Sequence, residues 1–279
     1  MAPHPPVADV DAAIVARHAE AAGFECLLYG EHPITPLEDD ETNYVHGRVP
    51  FFQETVVALA RVSAATTRLT FGFGICLVQQ HQPVRLAKQL AELDRYSGGR
   101  LIVGIGTGWN RVETESMGGR HERRWGQARD QVALWRKLWT QDRVDHHSDF
   151  IDLQPVRMYP PPATPGGPPV LIGATTDSAF RRVAEYGDGW MPAFATPDAI
   201  AGGHEKIRRG LTEIRRIAAE IGRDPGHLQI TAILHGAVTR GDIRRYEDTG
   251  IDRLCVMLPF VEHDDQVEGA VAALAPLLG

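Results

Sequence analysis

The sequence predicts an α/β fold of the (β/α)₈-barrel type, in a single domain that spans residues 1–279. Apolar runs of strand length alternate with segments of helical periodicity along the chain. This alternation is typical of a parallel sheet that is covered by helices. A chain of 279 residues has the usual length of one such barrel, and no linker-like segment divides it. An open doubly wound sheet is the alternative architecture.

Local patterns predict seven strands and nine helices. Gly23 ends the first helix, and Pro83 suits the first turn of the third. The predicted strands cover residues 24–29, 69–75, 101–105, 170–172, 189–193, 228–234 and 253–258. The predicted helices cover residues 9–22, 54–65, 83–96, 112–117, 123–139, 177–186, 197–221, 243–248 and 265–278.

The first strand of the barrel is predicted to be weak or missing. A closed barrel of this type needs eight strands, and the eighth has to precede the first helix. Only residues 1–8 are available there, and they contain three prolines. Because proline cannot donate to a central strand ladder, this segment is a poor strand.

One segment, at about residues 142–167, departs from the regular repeat. Phe150, Ile151 and Leu153 lie among polar residues with no helical period, and a proline-rich connector at residues 160–169 follows them. We expect a short excursion or hairpin outside the barrel, within the same domain.

Composition narrows the classes of partner. The formal net charge is −7, whereas nucleic-acid binding needs a clustered basic face. The densest basic patch, Arg120, Arg123 and Arg124, reads as a solvated helix face. No apolar run approaches the roughly 20 residues of a membrane span. A small-molecule substrate is therefore expected, with neither nucleic acid nor a membrane as partner.

The cysteines and histidines give no sign of a disulfide framework or a metal site. Cys26, Cys76 and Cys255 are an odd number, are widely spaced and lie in or next to apolar runs. Buried free thiols and a cytoplasmic location are expected. The segment that contains His146 and His147 has acidic neighbours, Asp145 and Asp149, but its spacing matches no familiar ligand set, so no metal is expected.

Polar residues after the first predicted strand are candidates for catalysis, because active sites of barrels lie at the carboxyl ends of the strands. Glu31 and His32 occupy this position. An imidazole there can exchange a proton with a substrate near neutral pH. The alternative is a histidine that only tethers the loop.

Glycine-rich stretches end the next two strands. Gly74 and Ile75 close one strand, and either the approach of a flat ligand or tight barrel packing explains the glycine. The most distinctive stretch runs over Gly104, Ile105, Gly106, Thr107, Gly108, Trp109 and Asn110. A dinucleotide-binding G-x-G-x-x-G pattern would need glycine at Trp109, so a glycine-lined floor for a planar ring is the better interpretation.

A fourth candidate segment joins a strand to a helix. It consists of Gly173, Ala174, Thr175 and Thr176. Small residues at a helix N-terminus expose backbone N–H groups, and the threonine hydroxyls add donors, so the segment suits a phosphate. A simple N-cap by Thr176 or Asp177 is the alternative.

These segments resemble the luciferase-like monooxygenase superfamily. Residues 97–110, SGGRLIVGIGTGWN, are similar to its central motif, most closely in the branch that depends on the deazaflavin coenzyme F420. Gly23 to His32, residues 168–173 (PPVLIG) and residues 187–190 (GDGW) resemble shorter motifs of the same family. The resemblance extends over nearly the whole chain from about residue 9.

The resemblance implies a barrel, usually dimeric, with the coenzyme ring deep in its mouth. It implies a cis peptide at Gly74–Ile75, a ring-contacting loop at residues 106–110 and a phosphate loop at residues 173–176. The acidic residue and histidine near the ring map to Glu31 and His32. The acidic tail of the coenzyme is expected to lie toward solvent, near basic side chains.

The leading hypothesis is hydride transfer between the F420 deazaflavin and a small organic substrate. His32 is the expected proton donor or acceptor, Glu31 its companion, and Trp109 shapes the substrate side. An FMN-dependent monooxygenase on the same fold is the first alternative. A non-catalytic protein that binds the coenzyme is the second.

Overall fold

A computed structural model describes residues 10–34, 52–224, 226 and 228–278. The α-helices are α1 (Ala12–Ala21), α2 (Thr55–Ala65), α3 (Pro83–Ser97), α4 (Arg111–Ser116), α5 (Arg124–Thr140), α6 (Asp177–Tyr186), α7 (Pro197–Glu220), α8 (Arg240–Glu247) and α9 (Val267–Leu274). The strands are β1 (Cys26–Tyr29), β2 (Thr70–Leu77), β3 (Leu101–Gly106), β4 (Val144–His147), β5 (Asp152–Val156), β6 (Val170–Gly173), β7 (Gly189–Met191), β8 (Ala193–Phe194), β9 (Gln229–Leu234) and β10 (Arg253–Val256). Short 3-10 turns lie at Val78–Gln80, His121–Arg123, Asp264–Gln266 and Ala275–Leu277.

The central sheet is parallel, and its strands follow one another in chain order. Neighbours run β1-β2-β3-β6-β7-β9-β10, and β8 also pairs with β9. A doubly wound sheet reverses its strand order at a switch point, and the described strands contain no such reversal. The sheet curls into a nearly closed barrel with helices outside, which confirms the predicted fold class.

All seven predicted barrel strands are present, and one of them is divided. The strand predicted at residues 189–193 is interrupted at Pro192, which has no N–H to donate, although its carbonyl accepts from Ile233 N at 2.8 Å. Both halves, β7 and β8, pair with β9. The prediction of a weak or missing first strand concerns residues 1–8, which lie outside the described residues.

Helix boundaries follow the capping residues. α3 begins at Pro83, as predicted, and ends at Gly98, whose φ of 68° suits glycine. α8 begins at Arg240, earlier than predicted, because Thr239 and Asp242 cap each other's backbone N–H groups. The continuous helix predicted over residues 265–278 is wrong, since 3-10 turns replace both of its ends.

Arg100 holds several segments together where β3 begins. Its guanidinium donates to the carbonyl oxygens of Ser97, Leu69, Ser63 and Thr66 at 2.7–3.1 Å, and to Thr66 Oγ1 at 2.8 Å. These bonds join the carboxyl-terminal ends of α2 and α3, and the residue before β2, to the start of β3. They lie at the end of the barrel where the parallel strands begin.

The predicted excursion is a hairpin outside the barrel. β4 and β5 pair antiparallel and form a separate two-stranded sheet. His146 Nε2 lies 2.8 Å from Asp130 Oδ1 of α5, which anchors the hairpin to that helix.

The inside of the barrel is filled by a small apolar cluster. Its buried members are Cys26, Leu28, Ile102, Leu171, Met191, Ile233 and Cys255. Ile75 packs against this cluster and remains partly exposed, so it lies at the upper limit of the packed interior. All three cysteines are buried free thiols, as predicted. None of the helices in the described ranges is both long and apolar enough to cross a membrane.

Candidate active site

Four predicted segments meet at one end of the barrel. Glu31 and His32 follow β1, Gly74–Ile75 lies near the end of β2, residues 106–110 end and follow β3, and residues 173–176 end and follow β6. β1, β2, β3 and β6 are consecutive neighbours in the sheet. Since the strands are parallel, their carboxyl ends lie side by side and form the mouth of the barrel.

His32 is held at the mouth by Glu113. Its Nδ1 lies 3.1 Å from both carboxylate oxygens of Glu113. The side chain of Glu113 is only 1% exposed, whereas that of His32 is 27% exposed. The pair therefore consists of a buried carboxylate and an imidazole that solvent or a ligand can reach.

Glu113 owes its position to the start of α4. Asn110 is the N-cap of this helix, and its side-chain oxygen accepts from Glu113 N at 3.0 Å. Glu113 is not among the site residues that the sequence predicts. An Asn followed by Glu at the third position of a helix resembles an ordinary capping pattern, which hides a carboxylate that turns inward. Asn110 thus acts as a cap, and its predicted contact with the coenzyme stays a prediction.

Two aromatic rings flank His32. The ring of Phe52 lies edge-on at 4.7 Å between centroids, and the ring of Trp109 lies at 6.3 Å. Trp109 is 37% exposed, so an aromatic surface borders the imidazole at the mouth. The two rings can contact an apolar part of a substrate while the imidazole exchanges a proton with it.

Glu31 is buried and differs from His32 in its surroundings. Its carboxylate accepts from Leu77 N at 2.6 Å and lies 2.8 Å from His81 Nε2. These contacts join the loop after β1 to the end of β2 and to the turn that follows. They support a positioning role, and a catalytic role for Glu31 stays a prediction.

Glu31 also changes the titration of its neighbours. Burial disfavours the protonated imidazole of His81, but the hydrogen bond and charge of Glu31 outweigh burial and raise the pKa of His81 above its usual 6.5. Burial first, and then the charge of Glu31, raise the pKa of the Cys76 thiol well above its usual 9.0. Cys76 is therefore a neutral thiol at physiological pH.

One group of side chains among the described residues has the spacing of metal ligands. It consists of Glu31, Cys76 and His81, whose potential ligand atoms all lie within 4.8 Å of one another. The hydrogen bonds above explain this cluster without an ion. His146 and His147 have carboxylate partners outside this cluster. His146 is hydrogen-bonded to Asp130, and His147 to Asp152.

Glycines at the mouth make room for Ile75. The peptide between Gly74 and Ile75 is cis, as the resemblance implied. A Cβ on Gly106 would lie 1.9 Å from Ile75 Cδ1, and a Cβ on Gly173 would lie 2.7 Å from Ile75 Cγ2. Packing against Ile75 thus accounts for glycine at these two positions. Contacts of Gly74, Ile75, Gly106, Thr107 and Gly108 with a coenzyme stay predictions.

The segment predicted for phosphate has hydroxyl donors in a row. Thr176 is the N-cap of α6, but its side chain makes no capping bond and lies instead 2.9 Å from Ser178 Oγ. Arg182 Nη1 donates to Ser178 Oγ at 3.0 Å. The carbonyl of Ala174 accepts from Trp190 Nε1 at 2.7 Å, which fixes the loop that also contains Thr175.

The charge near this segment is mixed, because Arg124 and Arg182 lie near it and Asp177 is the first residue of α6. Burial lowers the pKa of Arg182, and the charge of nearby Arg124 lowers it further. Arg182 lies over the ring of Trp125 at 4.1 Å and, among the described residues, forms no ion pair. Two arginines, two hydroxyls and a helix N-terminus fit a phosphate group.

Comparison with known proteins identifies the family. A family model for luciferase-like monooxygenases matches residues 7–276. The chain belongs to the luciferase-like monooxygenase family. Members of this family are oxidoreductases and monooxygenases.

The relatives of this luciferase-like protein include users of two coenzymes. An uncharacterized protein of Mycobacterium tuberculosis is 31% identical over 274 residues, which cover 94% of this chain and 93% of that protein. The F420-dependent hydroxymycolic acid dehydrogenase of Mycobacterium tuberculosis is 29% identical over 180 residues, 63% of this chain and 47% of that one. The FMNH(2)-dependent dimethylsulfone monooxygenase of Pseudomonas fluorescens is 28% identical over 208 residues, 74% and 52% of the two chains.

Solved structures share the fold. An F420-dependent secondary alcohol dehydrogenase, in complex with an F420–acetone adduct, superimposes with a TM-score of 0.75 and 15% identity. The match covers 100% of this luciferase-like chain and 98% of that one.

Proposed function

We propose that this protein is an F420-dependent oxidoreductase that transfers a hydride between the deazaflavin and a small organic substrate. The observation that carries the proposal is the His32–Glu113 pair at the mouth of the barrel. Interconversion of an alcohol and a carbonyl moves a proton as well as a hydride. An imidazole that is fixed by a buried carboxylate and borders an aromatic surface suits the proton transfer.

Each residue at the mouth has a separate role in the proposed reaction. The coenzyme, when bound, supplies the hydride chemistry. His32 exchanges the proton with the substrate oxygen, and Glu113 holds the imidazole in place through Nδ1. Phe52 and Trp109 border the imidazole and offer an apolar surface to the substrate. Glu31 keeps the loop that carries His32 next to the end of β2.

The coenzyme is proposed to bind with its ring over Ile75 and its phosphate at α6. The partly exposed Ile75 side chain, packed between Gly106 and Gly173, offers a flat apolar floor. Thr176, Ser178 and Arg182 offer donors to the phosphate. The F420-dependent relative named above supports F420 as the coenzyme.

Titration of the purified protein with F420 and, separately, with FMN tests the proposal. Fluorescence quenching gives both dissociation constants. The loss of the absorbance of oxidised F420 then reports hydride transfer from each member of a panel of alcohols. Tight F420 binding with alcohol-dependent reduction is the expected result. Preference for FMN, or F420 binding without turnover on any substrate, would contradict it.

An FMN-dependent monooxygenase is the second candidate, and similarity to the FMNH(2)-dependent enzyme over 208 residues favours it. Both coenzymes carry a phosphate, so the donors at α6 suit either one. Oxygen consumption with reduced FMN and a candidate substrate distinguishes this function from hydride transfer by F420.

We also propose that the protein forms a homodimer through α2 and α3. Val57 of α2 is 61% exposed and Tyr96 of α3 is 73% exposed, and the groove between the helices contains Val56, Ala60 and Leu93. Exposed apolar surface of this kind is typical of an interface. Sedimentation velocity of the wild-type protein and of the V57E/Y96E variant measures the association state, and an unchanged mass in the variant would contradict the proposed surface.

A further inference from the structure

The residues that follow the barrel strands lie around the mouth and include no basic side chain. This mouth ring is defined as the four residues after each of the seven barrel strands, with β7 and β8 counted as one strand. It consists of residues 30–33, 78–81, 107–110, 174–177, 195–198, 235–238 and 257–260. The chain contains 29 lysines and arginines, but none of them belongs to the mouth ring. These described residues therefore offer no fixed cation to a substrate.

The three histidines of the mouth ring do not supply the missing charge. Nδ1 of His32 lies 3.1 Å from the buried carboxylate of Glu113. Nε2 of His81 lies 2.8 Å from the buried carboxylate of Glu31. A proton on either imidazole is thus balanced by a carboxylate. Burial lowers the pKa of His235 below its usual 6.5, so this imidazole is uncharged at neutral pH.

His235 and Ala193 line the wall of the mouth that β8 and β9 form. His235 N donates to the carbonyl of Phe194 at 2.8 Å, so His235 continues the ladder of β9. Its side chain points inward above Ile233, which is two residues earlier and belongs to the apolar cluster inside the barrel. Ala193 pairs with Ile233 and is exposed, so its side chain faces open space in the mouth.

The helix ends beside this wall carry their own carboxylates. α7 and α8 follow β8 and β9, so their positive amino-terminal ends lie at the mouth end of the barrel. Asp198 lies in the first turn of α7, and Asp242 lies in that of α8. Because each carboxylate compensates its helix dipole, neither helix end is left to attract an anionic substrate.

Apolar side chains are exposed around the same entrance. Ile34 follows β1, Trp109 follows β3 and Phe260 follows β10, and they are 41%, 37% and 43% exposed. Ile75 at the floor and Phe52 beside the imidazole add further apolar surface. A mouth of this composition gains affinity from each hydrocarbon group that it removes from water.

We propose that the substrate is an uncharged alcohol with a hydrocarbon group, or the carbonyl compound formed from it, and that the mouth excludes substrates with a carboxylate or a phosphate. The inference rests on the proposed function and names the substrate class of that site. A carboxylate bound beside His32 would lack a cation and would lie near the buried charge of Glu113, so nothing would offset its desolvation. Arg182, which is proposed for the coenzyme phosphate, lies outside the mouth ring.

Quenching of tryptophan fluorescence tests the charge of the mouth in the protein without coenzyme. Neutral acrylamide and anionic iodide are compared on wild type and W109F at an ionic strength of about 0.1 M, and the difference isolates Trp109. Relative to a free tryptophan amide, we expect acrylamide to quench Trp109 at least about threefold better than iodide. Trp125 is the matched control, because it is partly exposed and lies next to Arg182. W125F isolates its emission, which iodide is expected to quench. Equal corrected constants for the two quenchers at Trp109 overturn the inference.

Hydride transfer from matched alcohols tests the substrate class. Along 2-butanol, 2-pentanol and 2-hexanol, kcat/KM is expected to rise about threefold for each methylene group. In 5-hydroxyhexanoate a carboxylate replaces the terminal methyl group of 2-hexanol, and kcat/KM is expected to fall by at least about 100-fold. Preference for the hydroxy acid, or for the cationic 5-amino-2-pentanol, overturns the inference and leaves the proposed function standing. If none of these alcohols reduces F420, both fail.

A cation placed in the mouth is expected to weaken the selection. A193K adds an ammonium group at the open position on β8, and A193M adds a chain of similar length without charge. A193K is expected to raise the ratio of kcat/KM for 5-hydroxyhexanoate to that for 2-hexanol by at least about tenfold, whereas A193M leaves it unchanged. Thermal melts verify that both variants are folded. Equal ratios in the two variants overturn the role assigned to charge.

Discussion

Both carboxylate oxygens of Glu113 lie 3.1 Å from Nδ1 of His32, although the two residues are 81 positions apart in the chain. The contact joins the loop after β1 to the first turn of α4. Because Nδ1 is occupied by Glu113, Nε2 is the ring nitrogen that remains for a substrate. The fixed imidazole is thus suited to exchange a proton through Nε2.

His32→Ala is expected to lower turnover by about 10²- to 10⁴-fold, the usual contribution of a general acid or base. Coenzyme affinity is expected to change by less than about threefold, because the proposed phosphate and ring contacts lie elsewhere. Steady-state kinetics and coenzyme titration measure the two effects. His147→Ala, at an exposed position of the hairpin, is the control. Unchanged turnover in His32→Ala would remove His32 from the mechanism.

Glu113→Gln is expected to lower kcat by about tenfold or more, but by less than His32→Ala. The amide keeps a hydrogen-bond acceptor and loses the charge that holds His32 in one orientation. The affinity for the coenzyme and the KM for the substrate are expected to change less than kcat, which a purely structural defect would not produce. Glu115→Gln, on the exposed side of the same helix, controls for the loss of charge. Equal losses in kcat and in coenzyme affinity would argue for a structural role alone.

His81 is expected to make stability depend on pH. Its pKa is raised on folding, so its contribution is fully present below its unfolded pKa of 6.5 and is lost as pH rises through the folded value. Urea denaturation at several pH values measures the free energy of unfolding. His81→Gln is expected to lack the decline that begins near pH 6.5 in the wild type, whereas His147→Gln keeps it. Parallel curves for wild type and His81→Gln would contradict the assignment.

Two glycine-to-alanine changes are expected to have opposite effects on the free energy of unfolding. In Gly72→Ala the Cβ would lie 1.8 Å from the carbonyl oxygen of Ile102, and backbone cannot yield there, so a loss of more than about 2 kcal/mol is expected. Gly202 lies within α7 with open space around it, so Gly202→Ala is expected to stabilise the protein by about 0.5–1 kcal/mol. Chemical denaturation measures both. A stable Gly72→Ala variant would mean that β2 and β3 are further apart than described.

Arg182→Gln is expected to weaken binding of phosphorylated coenzymes about tenfold, because one charge-assisted hydrogen bond to the phosphate is lost. The comparison of FMN with riboflavin isolates the phosphate, and riboflavin affinity is expected to stay constant. Arg208→Gln, at an exposed position of α7, is the control. Equal losses for FMN and riboflavin would place the phosphate elsewhere.

The sequence predicts the strands well, because each barrel strand is a local apolar run with a clear end. β7 and β8 show the limit, since Pro192 breaks hydrogen bonding without changing the apolar pattern. The positions of His32 and Thr176 at the mouth follow from the strand ends. Glu113 does not follow, because its contact with His32 depends on how α4 lies against the loop after β1, which no local pattern records. Glu31 was expected beside the ring, and its burial against His81 depends on a similar contact between distant segments.

Arg100 belongs to the most recognisable part of the chain, the SGGR segment, yet the five hydrogen bonds of its guanidinium lie at the end of the barrel opposite to the proposed coenzyme. Residues 97–100 of that motif thus stabilise the start of β3, and only residues 106–110 reach the mouth of the barrel. A match to the first half of the motif therefore reports shared architecture and carries little information about chemistry. The residues that decide the choice of coenzyme are to be sought at the opposite end of the barrel.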